Sequence, residues 1–296
     1  MRRSGLRSVY GRRLFITGAA GGIGRATALR AAAEGAELFL TDIDQAGLDA
    51  TAEEIRTRGG AVRHAEAADI TDHPAVRAMA ERVHARSGPM DVVMNVAGVS
   101  AWGTVQSLEH RHWRSMVEVN LMGPIHVIES FLPPMVAAGR GGHLVNVSSA
   151  AGLIGLPWHA AYSAGKFGLR GVSEVLRFDL RRHGIGVSLV CPGAVRTPLT
   201  DTVEIAGLDK NSPAFKRLRD RFAELAATPE AVAEAILDGV HKNRYLVHTS
   251  GLIRAVHAAQ RVLPPLYVLA MRALNRAADK ALAQVPPPAP GRRSTE

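Results

Sequence analysis

The sequence predicts an α/β fold: a three-layer, doubly wound parallel sheet in a single domain, followed by a helical C-terminal extension. Three observations predict it. Between residues 13 and 250, short apolar runs alternate with helical patterns, which is the rhythm of βαβ units. A glycine-rich turn follows the first apolar run and opens the first helical pattern. The 296 residues are 47% apolar and 21% charged, enough to fill one large core and too apolar for disorder over most of the length. Right-handed crossovers then place helices on both faces of the sheet.

The elements follow in order. Arg13–Thr17 (RLFIT) reads as the first strand, and a helical stretch runs from the glycine-rich turn to Glu34. Glu37–Thr41 is a strand and Asp44–Arg58 a helix; Val62–Ala67 is a weaker strand and Asp72–Ser87 a helix. Asp91–Asn95 (DVVMN) is a strand. Glu109–Ala138 reads as one long helix, in which Pro124, Pro133 and Pro134 mark a start, a kink or an end. His143–Val147 is a strand, His159–His183 a helix and Gly186–Val190 a strand. Pro229–His241 is a helix and Tyr245–His248 a last short strand. The chain divides into a basic arm (residues 1–12), a nucleotide-binding type of domain (13–250), a helical extension (251–285) and a disordered proline-rich tail (286–296).

Charge and cysteine usage exclude several classes. The net charge of +9 sits on the ends: residues 1–13 carry five basic groups and no acidic one, and residues 252–296 carry seven basic and two acidic. The body is close to neutral, with no aromatic residues interleaved along a basic stripe, so no nucleic-acid partner is expected. No stretch approaches ~18 uninterrupted apolar residues, so no membrane-crossing helix is expected. No apolar stretch follows the N-terminal arginines as in a signal peptide, and a cytoplasmic protein is the expectation. The single cysteine, Cys191, excludes an internal disulfide and reads as a small core residue. Twelve histidines show no ligand spacing, and no metal is expected.

The first turn reads Thr17-Gly18-Ala19-Ala20-Gly21-Gly22-Ile23-Gly24. Gly18 allows a tight turn, Gly22 lets backbone amides approach a diphosphate, and Gly24 lets helix and strand pack closely. That is the arrangement of a Rossmann-like dinucleotide site. Asp42 ends the second strand, 18 residues beyond Gly24. Its carboxylate can accept hydrogen bonds from adenosine ribose hydroxyls and repel a 2′-phosphate, or it can cap the following helix. Ile43 follows it, and Arg25 is the one nearby basic residue that argues for a phosphate. NAD is therefore expected over NADP.

Tyr162-Ser163-Ala164-Gly165-Lys166 opens a helix, and a spacing of four puts Tyr162 and Lys166 on one face. An ammonium beside a phenol favours the phenolate and should lower the tyrosine pKa. That pair can exchange a proton with an alcohol or carbonyl oxygen. Ser149, 13 residues earlier and just after a strand, can hold the carbonyl oxygen, and Asn120 lies in the long helix before it.

With these pieces in order, the sequence resembles the short-chain dehydrogenases/reductases from about Arg13 to Val247. The matching segments are Thr17–Gly24, Asp69, Asn95–Gly98 (NVAG), Asn120, Ser149, Tyr162–Lys166 and Pro192–Thr197 (PGAVRT). The resemblance implies that Tyr162 is the general acid/base, that Lys166 tunes it and binds the nicotinamide ribose, and that Ser149 orients the substrate oxygen. It implies that Asn120 holds a water in the proton relay. It implies that Asp69 lies by the adenine and that Asn95, Ala97 and Gly98 line the cofactor with Ile23. By the same resemblance Pro192, Gly193 and Val195 line the nicotinamide end, with Thr197 near its amide. Val96 departs from the family, which usually has a second asparagine there.

The implied reaction moves a hydride between a nicotinamide and a secondary alcohol or ketone. A catalytically silent nucleotide-binding scaffold, or an epimerase, is the alternative on the same fold. Trp102 and Trp158 either line a substrate pocket or serve packing. Leu199–Arg221, with Leu199, Val203, Ile205, Leu208 and Phe215, joins Ile154 and Leu156 in suggesting a hydrophobic alcohol or ketone, unless it is an ordinary packed helix pair. Leu252–Val285 reads as two helices broken at Pro264-Pro265, packed on the body or on a second subunit of a homo-oligomer (dimer or tetramer). Peripheral contact with a membrane surface is the less favoured reading.

Overall fold

The computed structural model describes residues 6–197, 203–207 and 226–282. Leu199, Leu208 and Phe215, the first residues of the basic arm and the 286–296 tail lie outside the described residues. In chain order the elements are β1 (Arg13–Thr17), α1 (Gly22–Ala33), β2 (Glu37–Asp42), α2 (Gln45–Thr57), β3 (Ala61–Ala67), α3 (His73–Ser87) and β4 (Val92–Asn95). Next come β5 (Ala101–Trp102), α4 (His110–Val117), α5 (Gly123–Ala138), β6 (Gly142–Val147), α6 (Ala160–Asp179) and β7 (Ile185–Cys191). The chain ends with β8 (Glu204–Ile205), α7 (Pro229–His241), β9 (Leu246–His248), α8 (Gly251–Val262) and α9 (Pro264–Leu282).

Seven strands form one parallel sheet in the order β3-β2-β1-β4-β6-β7-β9. From β1 the chain winds outward to β3, then crosses back over β1 to β4 and winds the other way. The crossovers therefore part between β1 and β4, and a crevice opens at the C-terminal strand ends.

Strand alternation sends successive residues to opposite faces. Leu14 and Ile16 of β1, with Leu38 and Leu40 of β2, pack under α1 and α7 against Val232 and Ile236. Phe15 and Phe39 point the other way, onto Met79 and Val83 of α3 and Phe131 of α5. Phe15 stacks on Phe131 with ring centroids 4.0 Å apart. Burying each such side chain fully contributes about 1.5–3 kcal/mol, so the strands read as unbroken apolar runs because both faces are covered.

Most predicted elements are present within a residue or two of their expected ends. The 109–138 region is the exception. A π-helical turn, Glu118–Met122, separates α4 from α5. Pro124 follows closely and has no N–H to offer the Asn120 carbonyl, so the α-helical ladder lacks that bond where the turn widens. Pro133 and Pro134 lie inside α5, which ends at a left-handed Gly139. The run His110–Ala138 is long and apolar enough to cross a bilayer by length and composition alone. Its apolar residues Val127, Phe131, Leu132 and Met135 are instead buried in the core.

Two features of the basic ends stand out. Arg12 and Arg13 both approach the buried Asp91, at 3.9 and 3.6 Å. The two C-terminal helices break at Leu263, as the prolines predict, but they pack unequally. Ile253 and His257 of α8 are buried, with Ile253 against Leu153, Leu189 and Cys191. In α9, Leu266, Val268, Leu269 and Leu274 are exposed, and Tyr267 reaches back to accept a hydrogen bond from the Gly155 amide at 2.9 Å.

Candidate active site

The glycine-rich turn lies at the crevice, and two of its glycines have no room for a side chain. Gly18 and Gly22 have left-handed backbones, φ +72° and +50°. A Cβ on Gly18 would come within 2.8 Å of the Ala97 backbone, and one on Gly24 within 1.9 Å of the Gly18 carbonyl oxygen. Gly21 is the N-cap of α1 and supplies no side-chain cap, so the first-turn amides keep their donors for an anion. These residues fit the diphosphate of a dinucleotide.

Asp42 is held against this turn. One carboxylate oxygen accepts from the Ala20 amide at 2.9 Å and the other from the Asp44 amide at 3.1 Å. Asp44, rather than Asp42, caps α2 by accepting from Gly47. Arg25 is ion-paired with Glu54, so the cation that argued for a phosphate is already engaged. Asp69 is exposed, and its carboxylate accepts from the amide and hydroxyl of Thr71, both at 2.8 Å.

Asn95 turns away from the cleft. Its side-chain amide donates to the Asn146 oxygen at 2.9 Å, Asn146 donates to Ser173, and Ser173 donates to the Leu169 carbonyl. This buried chain ties β4 and β6 to α6 and so locates the helix bearing the tyrosine and lysine. The Val96 and Ala97 amides donate to the Thr17 hydroxyl, at 3.0 and 3.1 Å. Val96 and Gly98 line the cleft, whereas Asn95 and Ala97 stand behind it as braces.

Asn120, on the π-helical turn, is buried and spends both ends of its amide on Val99: it accepts from the Val99 N–H at 3.2 Å and donates to its carbonyl at 3.0 Å. A Cβ on Gly98 would meet the Asn120 oxygen at 2.8 Å and Lys166 Nζ at 3.2 Å, so glycine lets both approach. Gly165 does the same between helices, since a Cβ there would lie 2.5 Å from the Met116 carbonyl of α4.

Ser149, Tyr162 and Lys166 converge on one cleft of about 180 Å³. Ile23, Pro192, Gly193, Val195 and Thr197 line the same cleft, which therefore runs from the first turn of α1 to the tyrosine. Ser149 lies two residues beyond β6, and its hydroxyl accepts from the Ala151 amide at 3.1 Å. Lys166 Nζ donates to the Val147 carbonyl at 3.0 Å and lies 5.7 Å from the Tyr162 ring centroid.

The expected lowering of the tyrosine pKa is not what this arrangement produces. Burial pushes the Tyr162 phenol up to about 12, against the opposing effect of its hydrogen bond with Ser149. Burial likewise pulls the Lys166 ammonium down to about 8. The two groups share one desolvated pocket, and desolvation of each charged form is the largest effect on it. At neutral pH the phenol is protonated and stands as a proton donor.

The two tryptophans separate. Trp102 lines the cleft and donates from Nε1 to the Ser100 hydroxyl at 2.7 Å. Trp158 has a left-handed backbone (φ 64°), and its carbonyl accepts from the Gly103 amide at 2.8 Å, a turn-forming role outside the cleft lining. Leu156 and Val203 line the cleft, as the apolar substrate reading anticipates. Cys191 is buried in the core cluster on which Leu156 packs, and burial pushes its thiol up to about 12.

Two features of the cleft carry no sequence motif. His159 lines it three residues ahead of Tyr162, a spacing that could have revealed it. Glu204, beside Val203, accepts from Arg111 at 2.7 Å and from His112 Nε2 at 3.0 Å, fastening the β5–β8 pair to α4.

The profile of the family described as short chain dehydrogenase matches residues 12–206. The chain is 36% identical over 253 residues to the probable oxidoreductase EphD of Mycobacterium tuberculosis H37Rv, covering 84% of this chain but only 43% of that protein. It is 34% identical over 262 residues to the putative oxidoreductase SadH of the same strain, covering 88% of this chain and 94% of SadH. A solved short-chain dehydrogenase/reductase from Burkholderia phymatum in complex with NAD superposes with a TM-score of 0.79. It is 28% identical, and the match covers 88% of this chain and 96% of that one.

Proposed function

Because the chain belongs to the short-chain dehydrogenase/reductase family, an oxidoreductase family, we propose that it interconverts a secondary alcohol and a ketone, with Tyr162 as general acid/base. One observation carries this reading: a single cleft is lined at one end by Ile23, in the first turn of α1, and at the other by Ser149, Tyr162 and Lys166. Nicotinamide, when bound, would supply the hydride acceptor or donor at its C4.

The chain's own residues do the rest. The glycine turn and the first-turn amides of α1 hold the diphosphate, and Asp42 meets the ribose. Ser149 donates to the substrate oxygen and fixes it beside Tyr162. In reduction the protonated phenol gives its proton to that oxygen. In oxidation the phenolate takes the proton back. Lys166, anchored on the Val147 carbonyl, holds its ammonium beside the phenol and the nicotinamide ribose. Asn120 positions the loop at Val99 and leaves its backbone carbonyl free of Pro124 for a water.

The preferred cofactor is NAD, because Asp42 stands at the ribose end and Arg25 is neutralised by Glu54. The substrate is small and largely hydrophobic, since Trp102, Leu156 and Val203 form the walls beyond the tyrosine. The exposed Val175 and Phe178 of α6 favour a homo-oligomer over a monomer.

The test is the change in nicotinamide absorbance with a panel of apolar ketones and secondary alcohols, run with NAD(H) and NADP(H). Turnover faster with NAD(H) supports the reading. Tight NAD(H) binding with no turnover of any panel member, in either direction, would favour a silent nucleotide-binding protein.

A further inference from the structure

The imidazole of His159 is held more firmly than packing alone requires, and it is placed beside the proposed acid/base. It is the N-cap residue of α6, three positions before Tyr162, so both side chains rise from the same side of the helix. The Trp102 indole covers it with ring centroids 4.6 Å apart and the rings tilted by 34°. The Tyr162 ring meets it edge-on at 6.2 Å. Trp102, His159 and Tyr162 all line the cleft.

The hydrogen bonding fixes the tautomer. Nδ1 lies 2.6 Å from the Pro157 carbonyl oxygen. A carbonyl can only accept, so Nδ1 carries the hydrogen. Burial lowers the imidazole pKa, which keeps the ring neutral. Nε2 is therefore a bare lone pair, with no hydrogen-bond partner among the described residues.

In the proposed reaction the Tyr162 and Ser149 hydroxyls are committed to the reacting oxygen and Lys166 bears an ammonium, while the neighbouring walls at Trp102, Leu156 and Val203 are apolar. The Ser100 hydroxyl already accepts from Trp102. His159 Nε2 thus offers an acceptor near the tyrosine in an otherwise apolar half of the cleft.

We propose that His159 is a specificity-determining residue, whose Nε2 accepts a hydrogen bond from a hydroxyl on the substrate one or two carbons from the reacting carbonyl. The substrate class is a hydroxy ketone and, in the reverse direction, the corresponding diol. This rests on the alcohol–ketone reading of the site and narrows it. An apolar substrate would strip Nε2 of water and return nothing, and buried polar groups left unpaired discriminate strongly between substrates. His159 makes no contact with the reacting oxygen in this scheme. Its role is selection through the neighbouring group.

The experiment compares a hydroxy ketone with its methyl ether, which keeps the oxygen and removes the hydrogen. In the wild type, kcat/KM should favour the hydroxy ketone by about tenfold or more. The ratio is read within each variant, so a general loss of activity cancels. In His159→Phe the ratio should fall towards one, and in His159→Gln, which retains an acceptor oxygen, part of it should return. Should His159→Phe fail to fold, the wild-type pair and His159→Gln still decide. A wild-type ratio near one, or a ratio unchanged in the variants, overturns the assignment. Failure of the wild type to turn over any ketone or alcohol would instead overturn the alcohol–ketone reading itself.

Discussion

The cofactor half and the substrate half of the cleft are held together by different kinds of contact. On the cofactor side, Gly18, Gly22 and Gly24 lie within one turn; backbone atoms leave no space for a Cβ on Gly18 or Gly24, and Gly22 has a left-handed backbone. On the substrate side, Glu204 meets Arg111 across 93 residues of chain, through exposed ionic contacts. The first kind of contact is local, steric and close to all-or-none. The second is long-range, side-chain-borne and graded. Substitutions in the two halves should differ in kind as well as in size.

Tyr162 sits where the halves meet, and its replacement should give the largest effect on turnover. Tyr162→Phe keeps the ring that packs near His159 and removes the phenol. Loss of one acid/base group should lower kcat by about 10²–10⁴-fold. The affinity for NADH, followed by fluorescence titration, should stay within a few-fold, because the cofactor half is untouched. A variant that turns over within a few-fold of wild type removes Tyr162 from the role proposed for it.

The sheet beneath both halves makes a separate forecast. His143 on β6 is fully buried, with Nε2 2.8 Å from the Ser188 hydroxyl, and burial holds its pKa down to about 4 against an ordinary 6.5. Between pH 6.5 and 4 the unfolded chain binds a proton there that the folded protein refuses. Stability therefore falls as pH falls through that window, by roughly 3 kcal/mol from this residue. His84, His159, His248 and His257 are lowered by the same cause and act in the same direction. Thermal midpoints measured from pH 7 to 4 should drop steeply in the wild type. In His143→Gln the plateau should be lower and the slope shallower. An equal slope in both proteins would show that His143 does not set the acid limit.

The same contrast explains what the sequence made legible. The doubly wound parallel sheet, the glycine turn and the grouping of Ser149, Tyr162 and Lys166 rest on local spacing: strands alternating with helices, a turn between a strand and a helix, and one helical turn from tyrosine to lysine. The π-helical turn was readable only in part, because Pro124 announces a break without saying that the chain continues as a helix. Asn95 lies in the segment that the resemblance assigns to the cofactor, while its buried side chain braces Asn146, a partner 51 positions away that no local pattern indicates. For the tyrosine pKa, spacing reports the nearby ammonium and not the burial around both groups, which acts in the opposite direction. Likewise, no motif marks Glu204 with Arg111 and His112, since each is an ordinary charged or polar residue until the fold brings them together.

Asp42 tests the cofactor half more gently than a glycine would. Its carboxylate faces the turn through Ala20 and would meet the added phosphate of NADP(H) with like charge. Asp42→Ala should shrink the preference for NADH over NADPH by on the order of tenfold, equal to about 1.4 kcal/mol. Calorimetry with both cofactors measures it. NADPH binding to the wild type as tightly as NADH would reverse the assignment and make another basic group responsible.

The smallest effect should come from the ionic fastening on the substrate side. The Glu109 amide donates to His112 Nδ1 at 2.9 Å, so Nδ1 is the acceptor and Nε2 carries the hydrogen that points to Glu204. Arg111 adds two further contacts to the same carboxylate, which is held down at a pKa of about 2, first by its hydrogen bond from Arg111 and then by that from His112. Both Arg111 and Glu204 are well exposed, and exposed pairs contribute about 0–1 kcal/mol. Glu204→Ala should therefore loosen Val203 and the β5–β8 pair without unfolding anything. The expected result is a KM for ketone raised by about two- to fivefold, in line with so small an energy, with kcat and the NADH affinity unchanged. Salt supplies the control: wild-type KM should rise with ionic strength towards that of the variant, while the variant's own KM stays nearly flat. A variant whose kcat falls along with its NADH affinity would mean that this contact supports the cofactor half as well, and the division between local and long-range construction would not hold at β8.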